Sequence, residues 1–89
     1  MQSDQLGFDL QQCVTELARA VADASIRGTG NARFLYAKHK SRAVEVSPSS
    51  DGGWWVEFWE NEDVANEHTY QSREDATEAA GLWLAGNAT

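Results

Sequence analysis

Residues 52–60 read GGWWVEFWE, and this stretch limits the fold more than any other. In an extended strand, successive side chains point to opposite faces of the sheet. Trp54, Val56 and Phe58 then share one face, and Trp55, Glu57 and Trp59 the other. The first set is the makeup of a core. The second places two indoles on the opposite side, four residues apart with a carboxylate between them. Any fold built on this strand must say what lies over each side.

Both ends of the chain read as helices. Leu10, Val14, Leu17, Val21 and Ala24 recur at spacings of four and three, the period of one helical face. Asp9 is a candidate N-cap with Gln12 completing a capping box, and Phe8 and Cys13 hold the positions of a hydrophobic staple. Leu6 leaves room for an earlier start, at Ser3 or Asp4. The glycines of Gly28-Thr29-Gly30-Asn31 stop this helix, which is expected to end near Ser25 to Arg27. At the other end Ser72 caps a second helix. Acids in its first turn suit the positive end of the dipole, and Ala76, Ala79, Ala80, Trp83 and Leu84 form its apolar stripe.

Strand formers fill the middle. Phe34–Lys38 and Ala43–Ser47 bracket a polar turn and read as a hairpin. Pro48 to Gly53 is a turn, and Asn61-Glu62-Asp63 is a second break. Glu67–Gln71 reads as a short further strand. The expected fold is one α+β domain, with an antiparallel sheet of three to four strands and a helix at each end of the chain. The second helix is expected on the Trp54–Val56–Phe58 side. Three covers are open to Trp55 and Trp59: the first helix, a second copy of the chain, or a different molecule. Glu57 and Glu45 share that side, and burying carboxylates without partners is costly. Arg33 has the parity to pair with one of them. This composition is that of a polar-rimmed interface.

Charge narrows the partner. The net charge is −7, distributed unevenly. Residues 1–50 carry six basic and five acidic groups, whereas residues 51–89 carry nine acidic groups and only Arg73. Such a chain repels nucleic acid and anionic membranes over half its length. The charge either serves solubility or forms a surface for a basic partner.

No residue set points to catalysis, a cofactor or a metal. The single cysteine, Cys13, permits no internal disulfide and no cysteine-based zinc site. His39 and His68 have no metal-ligand spacing. The 28–33 loop follows a helix and precedes a strand, the reverse of a dinucleotide loop. Arg33, Lys38, His39, Lys40 and Arg42, interleaved with Phe34 and Tyr36, suggest a nucleic-acid hairpin, an alternative the overall charge opposes. A ligand or enzyme pocket between sheet and helix is a further alternative. The amino terminus shows no secretory pattern and no stretch has membrane-spanning length, so a cytoplasmic location is expected.

Gly53-Trp54-Trp55-Val56 and Ser72-Arg73-Glu74-Asp75-Ala76, with Ala79 and Ala80 following, resemble the strand–strand–helix unit of small uncharacterised bacterial families over residues 52–84. The resemblance implies a compact sheet with one packed helix and transfers no catalytic residue. The expectation for function is therefore non-enzymatic protein binding, to a second copy or a basic partner, through Trp55, Glu57 and Trp59 with Glu60 and Glu62 as the charged rim.

Overall fold

The computed structural model describes residues 4–20 and 23–86. Helix α1 (Gln5–Ala20) is followed by strands β1 (Asp23–Arg27), β2 (Phe34–His39), β3 (Arg42–Pro48), β4 (Trp54–Glu60) and β5 (Asp63–Tyr70), then by helix α2 (Arg73–Leu84); a single 3-10 turn at Gly30–Ala32 joins β1 to β2. The strands form one antiparallel sheet in the order β1-β2-β3-β4-β5. The α+β class, the antiparallel sheet and the two terminal helices are as the sequence leads one to expect.

The sheet is wider than expected. Ala24 to Arg27, read as the end of the first helix, belong instead to β1. Ala24 pairs with Ala37, and Ile26 with Leu35, so pairing to β2 overrides the helical spacing. Val21 lies outside the described residues. The last strand begins at Asp63 and ends at Tyr70, longer than the Glu67–Gln71 segment anticipated.

Helix α1 starts at the earlier of its two candidate positions. Asp4, not Asp9, is the cap: its Oδ1 accepts the Gly7 amide at 3.1 Å, and its carbonyl accepts the Phe8 amide at 3.0 Å. Asp9 lies inside the helix and accepts a bond from Gln5. The staple does not form, since Phe8 is 60% exposed and Cys13 is fully buried. Ser72 caps α2 as its sequence requires, accepting the Asp75 amide at 3.1 Å.

Both helices lie on one side of the sheet. Leu10, Cys13 and Leu17 of α1 meet Ala76, Ala80 and Leu84 of α2 in a core completed by Leu35, Ala37, Val44, Val46, Val56 and Phe58. Five strands span about 19 Å across the ladder, enough for two helices with axes 8–10 Å apart. Cys13 and Thr77 join the helices, their Sγ and Oγ1 being 3.0 Å apart. The Thr77 hydroxyl donates to the Arg73 carbonyl at 2.8 Å, so its oxygen is left to accept from the thiol. Burial pushes the Cys13 thiol pKa up.

Trp83 fixes the end of α2. Its indole N–H donates to the Trp59 carbonyl at 3.0 Å, its ring meets Phe58 edge-on at 5.5 Å, and the Arg42 guanidinium lies 4.1 Å over it. No helix among the described residues is long and apolar enough to cross a membrane.

Candidate protein-binding face

Among the described residues no helix lies over the other side of the sheet. The first helix packs against β1, β2 and α2, so it does not cover the tryptophans, and one of the three expected covers is removed. Strand pairing then defines what the open side carries. One cross-strand row runs Ser25, Tyr36, Glu45, Glu57, Glu67 over all five strands. On one flank Ser47, Trp55 and Thr69 stand abreast; on the other, Lys38, Ala43, Trp59 and Val64. Three carboxylates thus sit side by side at the middle of the face, with an indole on either flank.

The exposures match a surface, not a core. Trp55 is 40% exposed and Val64 46% exposed. Phe34, Tyr36, Glu45, Glu57 and Trp59 are half-buried. The indole N–H of Trp59 is out of solvent and finds no acceptor among the described residues. Trp55 and Trp59 stand about 13 Å apart along β4 at the usual strand rise.

Two of the grooves on this face flank Glu45. The first, of about 370 Å³, runs between Trp59, Ala43 and Tyr36, with Lys38 and Glu62 at its edge. The second, of about 310 Å³, runs between Phe34 and Trp55 over Ser47, and Glu45 and Glu57 both line it. Neither lies between sheet and helices, where the pocket of the alternative reading belongs.

The carboxylate row is electrostatically costly. Like charges directly opposite one another on a sheet destabilise it, and Glu45 faces Glu57, which faces Glu67. Among the described residues none of the three forms an ion pair. The Glu45 carboxyl pKa is raised, first by burial and then by the Glu57 charge, against a smaller lowering by Arg27. The Arg27 guanidinium lies 4.1 Å over the Tyr36 ring, so the face already holds one cation stacked on an aromatic ring beside Glu45.

The expected site residues divide. Trp55, Glu57 and Trp59 share the open face. Glu62 sits in the β4–β5 turn at the lip of the first groove. Glu60 is on the helix side, bonded to Arg42 at 3.2 Å. Arg33 does not reach Glu45 or Glu57. It grips Asp4 through two bonds, at 3.0 and 2.6 Å. The basic hairpin is likewise dispersed: Arg33 clasps α1, Arg42 stacks on Trp83, and Lys38 lies on the open face. Sequence reasoning did not place Phe34 and Tyr36 beside the tryptophans. The alternation of β2 is apolar on both parities, and only the register resolves it. No group of His, Cys, Asp and Glu among the described residues is placed to hold a metal ion.

Compared with protein-family models, with curated proteins and with solved structures, the chain matches none.

Proposed function

We propose that the protein works by binding another polypeptide through the open face of its sheet. The observation that carries this reading is that Phe34, Tyr36, Trp55 and Trp59 share a side of the sheet over which no helix of the described residues lies. Tryptophan and tyrosine are the residues that anchor interfaces, and here they stand on both flanks of a polar row. The carboxylates Glu45, Glu57 and Glu67 between the indoles, with Lys38 and Glu62 at the edge, suit an interface that also exists uncovered.

The test is positional photo-crosslinking in the protein's own host. A benzophenone amino acid is placed at Ser47 or Thr69, beside Trp55, and as controls at Ala18 or Leu82, exposed on the helices. The reading predicts polypeptide adducts from Ser47 and Thr69 that disappear in the Trp55→Ser/Trp59→Ser variant. Adducts from the helix positions alone, or from none of the four, would contradict it.

A further inference from the structure

Resting on that reading, we infer that the occupant of the open face is a partner segment that places an arginine in the groove between Phe34 and Trp55, with its guanidinium on Glu45 and Glu57. Three observations lead there. Both carboxylates line this groove together with the two aromatic rings. Among the described residues Glu57 forms no ion pair, and it stands between two carboxylates, opposite Glu45 on one side and Glu67 on the other. The face accepts this chemistry from within the chain, since the Arg27 guanidinium sits over the Tyr36 ring next to the same Glu45.

Arginine fits better than lysine. Its planar guanidinium stacks on an aromatic ring while its fork of donors meets carboxylates. Such charge-assisted bonds are the strong ones. The groove's own cation, Arg33, is held by Asp4 at 2.6 Å and does not compete for Glu57. A second copy of the chain is the poorer occupant. A two-fold contact presents the same patch on both sides, so a contact centred on Glu57 sets one carboxylate row against another. Nucleic acid and anionic lipid meet the same repulsion.

The experiment is an NMR titration of the full chain with the tripeptide acetyl-Gly-Arg-Gly-amide, alongside its citrulline and lysine counterparts. Citrulline keeps the shape and loses the charge. The arginine peptide is expected to give saturable shifts at the Trp55 indole and at the Phe34 and Ser47 amides, with the lysine peptide weaker and the citrulline peptide inert. Glu57→Gln is expected to weaken the arginine peptide roughly tenfold or more, while Glu60→Gln, on the helix side, leaves it unchanged. Because Glu57→Gln removes a repulsive charge without changing shape, its folded spectrum serves as its own control. The inference is overturned if the citrulline or lysine peptide matches arginine, if Glu57→Gln binds as the parent does, or if no saturable shift falls in the groove. Should crosslinks form at Ser47 and Thr69 without an arginine effect, this inference fails and protein binding stands; without those crosslinks, protein binding itself fails.

Discussion

Glu45 and Glu57 stand directly opposite one another across the β3–β4 ladder, on the side of the sheet away from α1 and α2. A folded chain that places two carboxylates in register carries a repulsive contact its unfolded form lacks.

Replacing one of them therefore stabilises the isolated protein. Glu45→Gln is predicted to raise stability at pH 7 by up to about 1 kcal/mol, the range of cross-strand pair effects. The Glu45 carboxyl pKa is higher folded than unfolded, so a proton on it favours the native state. The penalty is in force above the folded pKa and absent below the unfolded one. Urea unfolding of parent and variant should thus separate at pH 7 and converge as the pH falls through the carboxylate range.

Asp4 responds in the opposite sense. Its bonds to Arg33 and to the Gly7 amide hold its carboxyl pKa down at about 2. The stability it supplies is present above its ordinary value of 3.8 and is lost as the pH falls toward 2. The protection of the Gly7 and Phe8 amides, measured against the intrinsic exchange rate at each pH, should fall over that interval. Asp4→Asn keeps a capping oxygen without the charge, so in it the acid-dependent step should vanish.

Asn61 and Glu62 join β4 to β5 with φ of 51° and 69°. A two-residue turn with both values positive matches the strand twist, and it favours Asn-Gly. Asn61 suits its position; Glu62 holds a left-handed conformation that costs a residue with a Cβ about 1 kcal/mol. Glu62→Gly is predicted to raise the unfolding free energy, read from urea denaturation, by about that amount. Glu62 lines the first groove and not the second, so the same variant should leave the arginine peptide's shifts at Trp55 unchanged.

Much of the fold can be read from spacing and capping alone: both helices, the β2–β3 hairpin, and the two-sided character of β4. The parts that cannot are those that receive their structure from partners. Asp23–Arg27 has only Ile26 as a strong strand former, and Ala24 continues the helical period, so nothing local distinguishes β1 from a helix end. Its pairing to β2 decides. Strand β5 is an edge whose residues are exposed except Tyr70, and a strand without a buried face leaves no alternation to detect. The side chosen by α1 follows from these two strands. With three or four strands the helical side has less room for a second helix, and the Trp55–Trp59 side offers itself. With five, both helices fit together and that side is left open. Trp55, Glu57 and Trp59 were legible as one set from parity, but Phe34 and Tyr36 joined them only through register.

The side of the sheet that stays open is tested most directly by hydroxyl-radical footprinting, read residue by residue over β2 and β4 at rising protein concentration. The account predicts alternation with period two: Phe34, Tyr36, Trp55 and Trp59 are oxidised, while Leu35, Ala37, Val56 and Phe58 are protected, with no change on concentrating the protein. Equal protection of both sets at every concentration would place a cover over Trp55 and Trp59 within the chain itself, and protection of the first set that grows with concentration would place a second copy there. Either result would contradict an open face held for a different partner.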